Sequence, residues 1–183
     1  LYQASVALST SVDLESVLRR ISTVAREISR ADAASLYVYD ERTDSFTRAF
    51  ASGVTGDWSP AHLRSTGMTR RVLKEGKPVL VTDTHTNPEV NPHTLDAGVG
   101  SLIAVPLISQ GQPVGVMYVG SFKIHQFDEG DVQLVSALAN QAAVAISNAR
   151  LFGDIAESRD RLQAILDSAS DGLLIFESDS RIL

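Results

Sequence analysis

The chain has 183 residues, 44% of them hydrophobic, with a formal net charge of −6 and a pI near 5.1, enough for one domain with a sizeable core plus an appendage. Its acidity argues against a nucleic-acid partner, whose recognition needs clustered Lys and Arg to displace counterions. With no cysteine, disulfides, thiol catalysis, thiolate metal sites and thioether-linked cofactors are all excluded.

The segment from Ala7 to Ala31 places Leu14, Val17, Leu18, Ile21, Val24, Ala25 and Ile28 at helical spacing with arginines between them, which predicts an amphipathic helix. Ser11 or Asp13 is the expected cap. The stretch "AASLYVYD" (Ala33 to Asp40), the polar turn "ERTD" and the alternating "SFTRAFAS" (Ser45 to Ser52) read as a hairpin. After a loop with Trp58 and Pro60, a short helix begins near Met68 and ends at Gly76, and Pro78 leads into a strand from Val79 to Thr82. Residues 83–100 carry two Asn-Pro steps and form a long irregular connection, with one helical turn near His93 to Ala97.

Ser101 to Ser121 holds two apolar runs around "SQGQP", a second hairpin turning at Gly111. Both runs are apolar on both faces, so this hairpin is expected at the centre of a sheet covered above and below. From about Asp128 one helical pattern continues to the tail. Leu134, Leu138 and Ala142 are expected to pack on the sheet. Val144, Asn148, Leu151, Ile155, Ser158, Leu162, Ile165 and Ala169 recur on a seven-residue a/d cycle, which predicts a parallel coiled coil between two copies. The polar Asn148 at an a position would fix register there.

Three stretches in order, "GMTRRVLKEGKPVLVTD", "SLIAVPLISQGQPVGVMYVGS" and "FDEGDVQLVSALANQAAVAISNARLF", resemble a GAF domain over about residues 1–152. In that family a VPL strand, a glycine turn, an F-x-x-x-D helix start and an "NAR-L" exit recur in this order. The tail "LQAILDSASDGLLIFESDSRIL" looks like the opening of a PAS domain. These resemblances divide the chain into a GAF domain (1–152), a signalling helix (153–169) and the start of a truncated PAS domain (170–183). Neither end carries the roughly 20 apolar residues of a membrane span and no signal peptide is present. The expectation is a soluble, cytoplasmic piece of a longer and bacterial-looking sensor, without membrane contact of its own, with membrane anchoring of the parent protein outside this stretch left open.

The GAF resemblance implies an α+β fold: an antiparallel sheet of five or six strands, terminal helices on one face, and the short helix and long loop roofing a pocket on the other. Strand alternation then assigns Leu36, Val38, Leu102, Ala104, Val116 and Tyr118 to the roofed face, with Trp58, Met68, Arg71 and His93 around the pocket. Trp58 either closes the pocket edge or packs on its loop. Arg70 and Arg71 leave open an anionic ligand or a solvated helix face.

The known ligand classes of the family fit unevenly. Of the cyclic-nucleotide pattern, Lys123, Phe127 and Asp131 are present, but Gly120 and Ser121 stand near its Asn and Val132 replaces its Glu. Phe127 and Asp131 are better read as a buried ring and a helix-start acid. A covalent bilin is excluded by the lack of Cys. Haem is disfavoured, because a lone loop His is far more often solvated or backbone-bonded; His93 stands ahead of His62, His85 and His125. No H-x-x-x-H, D-x-D, G-x-S-x-G or S-x-x-K cluster supplies a metal or nucleophilic centre, and "GVG" at Gly98 to Gly100 precedes a strand, unlike a phosphate-cradling turn. The resemblance therefore implies a non-catalytic sensory domain that relays a ligand or partner signal through a homodimer of its N- and C-terminal helices to a PAS and output domain, histidine kinase first. The alternatives are a ligand-free dimerisation spacer, or the input of a cyclic-di-GMP enzyme or a response-regulator phosphatase.

Overall fold

A computed structural model describes residues 2–53, 63, 64 and 66–179, with side chains within residues 14–167 of these. The elements in order are α1 (Tyr2–Ile28), β1 (Ala33–Asp40), β2 (Ser45–Ser52), α2 (Met68–Glu75), β3 (Val79–Val81), α3 (Pro92–Asp96), β4 (Ser101–Ser109), β5 (Gln112–Ser121) and α4 (Glu129–Asp179). The strands form one antiparallel five-stranded sheet, ordered β2-β1-β5-β4-β3. The doubly apolar hairpin β4–β5 is thus internal, with β5 at the centre. Gln110 and Gly111, both at positive φ (51° and 79°), close it, the combination a two-residue hairpin turn requires. Gly115 sits where a Cβ would lie 2.2 Å from the Tyr37 carbonyl oxygen, so only glycine lets β5 approach β1 there.

Two hydrophobic layers cover the sheet. On one face Leu18, Ile21 and Ala25 of α1 and Val132, Val135, Ala139, Ala142, Ala143 and Ile146 of α4 pack on Leu36, Ile103, Val105, Leu107, Met117 and Val119. On the other, Met68, Val72 and Leu73 of α2 and Val90 and Val99 of the 82–100 loop pack on Val81, Leu102, Ala104 and Val116. The α+β arrangement is the one the resemblance implies.

The phase of β1 is the reverse of the expectation. Leu36 pairs with Met117 and Val38 with Gly115, whereas Ser35 pairs with Tyr118 and Tyr37 with Val116. Cross-strand partners share a face, so Leu36 and Val38 belong to the helix layer, and Ala33, Ser35, Tyr37 and Tyr39 to the roofed one.

Two helix expectations are also corrected. α1 begins at Tyr2, so Ser11 and Asp13 are interior positions and not caps. Glu15 instead pairs with Arg19 one turn on, at 2.7 Å. Leu134 is 49% exposed, because the sheet-facing stripe of α4 runs through Val132, Val135 and Ala139 and leaves it off-axis. Residues 171–179 belong to α4.

α4 starts on a reciprocal cap. The Asp131 amide donates to Asp128 Oδ1 (3.1 Å) and the Asp128 amide to Asp131 Oδ2 (3.0 Å), a capping box built from two aspartates, while Phe127 is buried in the helix layer. The chain divides into two units, Leu1–Ser147 and Asn148–Leu183, the boundary falling five residues before the expected domain end at Phe152. In the second unit Leu151, Ile155, Leu162 and Ile165 are all more than half exposed, and so is Asn148's neighbour in the a/d cycle, Val144, in the first. No helix among the described residues is long and apolar enough to cross a membrane.

Candidate functional site

The roofed face encloses a cavity of about 70 Å³. Its floor is the middle of the sheet: Ala33, Ser35 and Tyr37 of β1, Leu102 of β4 and Tyr118 of β5. Above lie Gly67, Met68 and Thr69 at the start of α2, and the loop from Glu89 to Thr94 with His93; Leu63 and Arg64 stand beside them. A water needs on the order of 10–15 Å³, so this space suits a ligand of a few non-hydrogen atoms. A cyclic nucleotide or a tetrapyrrole needs several times more.

The roof is tied down by polar side chains. Thr84, fully buried, donates from Oγ1 to the Val99 carbonyl (2.6 Å), and its amide donates to Gly100 O (2.9 Å), closing the base of the loop. Asn91 Oδ1 accepts from the His93 amide and caps α3. Arg64 donates to the carbonyls of Glu89 (2.6 Å), Val90 (3.1 Å) and Pro88 (3.3 Å). Glu89 in turn pairs with Arg71 of α2 at 2.7 Å.

The two arginines of α2 divide their work. Arg71 reaches the roof loop. Arg70 reaches the β1–β2 hairpin: its guanidinium lies over the rings of Phe46 (5.2 Å) and Tyr39 (5.8 Å), pairs with the Asp44 carboxylate and donates to the Asp44 carbonyl (2.8 Å). The Arg70 and Tyr39 hydrogen bonds to Asp44 hold its carboxyl below the usual carboxylate range.

Two hydroxyls on the floor behave differently. Tyr118 and Thr69 share a hydrogen bond of 2.8 Å, and burial pushes the Tyr118 phenol well up. Ser35 is 2% exposed, and its Oγ has no hydrogen-bond partner. A buried hydroxyl without a partner costs about 1–3 kcal/mol, and this one borders a cavity.

Of the sequence-derived candidates, Met68, His93, Leu102 and Tyr118 line the cavity. Ala104 and Val116 lie on the same face, fully buried in its packed core. Leu36 and Val38 are on the opposite face. Arg71 acts through Glu89, and Trp58 lies outside the described residues, as does His62. His85 pairs with Asp83 (3.2 Å), and His125 donates its amide to Thr82 O (2.7 Å). Among the described residues no three His, Asp or Glu come together to hold a metal ion. Sequence reasoning placed the start of α2 at Met68 but missed Ser35, Gly67 and Thr69 as lining residues; the signal available for Ser35 was a single polar residue within an apolar strand.

A family model described as GAF domain matches residues 11–147. Among solved structures, the GAF domain of a phosphoenolpyruvate-protein phosphotransferase from Coxiella burnetii is 21% identical with a TM-score of 0.67, covering 83% of this chain and 96% of that one. The free methionine-R-sulfoxide reductase of Neisseria meningitidis, in complex with its substrate, is 23% identical with a TM-score of 0.63, covering 81% and 92%. The PixJ GAF domain of Thermosynechococcus elongatus, in its blue-light-absorbing form, is 17% identical with a TM-score of 0.64, covering 82% and 95%. These neighbours differ in activity, so at such identities they establish the fold alone.

Proposed function

The chain belongs to the GAF domain family, and on that premise we propose that it is a non-catalytic sensory domain which binds a small molecule between its sheet and its α2–loop roof. The observation that carries this reading is the buried, unpartnered Ser35 hydroxyl at the floor of a cavity. The hydroxyls of Ser22 and Ser136 are also buried without a partner, but Ser35 alone of the three borders the cavity, where a ligand atom can supply one.

Catalysis of the kind named for the sulfoxide-reductase neighbours is disfavoured here by composition. Reducing a sulfoxide consumes two electrons, and a chain without cysteine has no thiol to supply them.

In this reading the signal leaves through α4, whose exposed a/d residues Asn148, Leu151, Ile155, Leu162 and Ile165 pair with those of a second copy. Ligand binding biases two arrangements of the helix layer through a difference in affinity between them; moving a 1:99 mixture to 99:1 takes roughly 5.5 kcal/mol. Downstream we place a PAS domain and a histidine kinase output, with a cyclic-di-GMP enzyme as the alternative.

The test is native mass spectrometry of the purified chain against its denatured mass. A dimer carrying a small mass that denaturation releases supports the sensory reading. A bare dimer whose stability no small molecule raises supports the spacer.

A further inference from the structure

We propose that the ligand of this cavity is a small monocarboxylate, held between the amides at the start of α2 and the Ser35 hydroxyl; the inference rests on the sensory reading above. The first turn of α2 carries no carboxylate, and the hydroxyl of Thr69 in it is taken up by Tyr118. The N-cap of α2 is Gly67, which makes no side-chain cap. The amides of Met68, Thr69 and Arg70 occupy the positions an α-helix leaves without partners, and the dipole makes this end positive. Gly67, Met68 and Thr69 border the cavity. Ser35 supplies the independent observation, a buried hydroxyl of the same cavity with no partner.

The charges around the cavity favour an anion of low charge. Among the described lining residues the one carboxylate, Glu89, is held by Arg71 at 2.7 Å. Arg64 brings a guanidinium to the rim, directed at backbone carbonyls. One guanidinium and one helix start suit a single negative charge better than a phosphate dianion. The remaining walls, Met68, Val90, Val99 and Leu102, accept a short apolar chain.

The probe is sodium propionate, with propionamide as its neutral counterpart of similar shape, each titrated into the ¹⁵N-labelled full chain and followed by NMR. Propionate is expected to move the Met68 and Thr69 amide resonances saturably, with propionamide about tenfold weaker. Ser35→Ala should weaken propionate about tenfold. Gly67→Asp places a carboxylate of the protein's own on the same amides; at φ −83° and ψ 178° the backbone accepts any residue, and an added Cβ would lie 3.2 Å from the Arg64 Cβ, a contact that a side chain can relieve. That variant should lose propionate binding while keeping its thermal midpoint at or above that of the parent, which separates competition from unfolding. Equal binding of propionamide would overturn the carboxylate assignment and leave the ligand cavity standing. If neither compound moves these amides the assignment also falls, and the sensory reading then rests on the released mass alone.

Discussion

The hydroxyls of Tyr118 and Thr69 lie 2.8 Å apart, joining the central strand of the sheet to the first turn of α2. This bond fixes the height of the roof over the cavity floor. Tyr118→Phe leaves the Thr69 hydroxyl buried without its partner, and should lower stability by about 1–3 kcal/mol, read from urea denaturation. A change within error would mean that the roof is held by its apolar contacts alone.

The same tyrosine sets an alkaline limit. Burial raises its folded-state pKa above the ordinary phenol value of about 10, so above about pH 10 the unfolded chain loses a proton that the folded chain keeps. Stability is fully present below pH 10 and is expected to fall as pH rises from there toward the raised folded value. Tyr118→Phe should flatten that decline in denaturation curves taken across the alkaline range.

Asp44 works in the opposite direction. Its folded pKa is lowered, first by the Arg70 hydrogen bond and then by that of Tyr39. Its contribution is therefore present above the unfolded value near 4 and is lost as pH falls through the depressed folded value. Arg70→Ala should remove the larger part of this acid dependence together with the stacking on Phe46, and Asp44→Asn all of it, so the slope of Arg70→Ala in acid titration is expected to fall between those of the parent and Asp44→Asn.

Ile155 is 57% exposed in the second unit, at an a position of the heptad cycle. Ile155→Asp puts a charge at each copy's seam and should halve the mass seen by light scattering, with the melting of the sheet domain unchanged. An unaltered mass would place any self-association elsewhere.

Most of the architecture was legible because it is written in local patterns. The β4–β5 hairpin announced its central place by being apolar on both faces, and α2 announced its limits at Met68 and Gly76. The phase of β1 was not legible for the same reason that β1 is buried: in "AASLYVYD" both alternating sets are apolar enough to be core. Only pairing with β5, over 70 residues away, puts Ser35 opposite Tyr118 and turns Leu36 toward the helices. The cavity depends on that phase. It also depends on how Arg64 and Thr84 hold a loop whose own sequence shows no periodicity. The start of α1 was missed because the N-terminal residues lack a strong stripe, and Leu134 because two apolar patterns, the sheet-facing stripe and the a/d cycle, overlap along α4.

Relay from the cavity requires that α4 pair in parallel with a copy of itself, and the absence of cysteine makes this directly measurable. Gly153, Asp160 and Asp167 occupy one outer position in three successive heptads; Gly153→Cys, Asp160→Cys and Asp167→Cys, made singly and spin-labelled, report the distance between copies by pulsed dipolar spectroscopy. Three equal distances are the expected result, since a parallel, in-register pair keeps equivalent residues level. A short distance at Asp160 with long ones at Gly153 and Asp167, or no dipolar coupling at all, would contradict the relay.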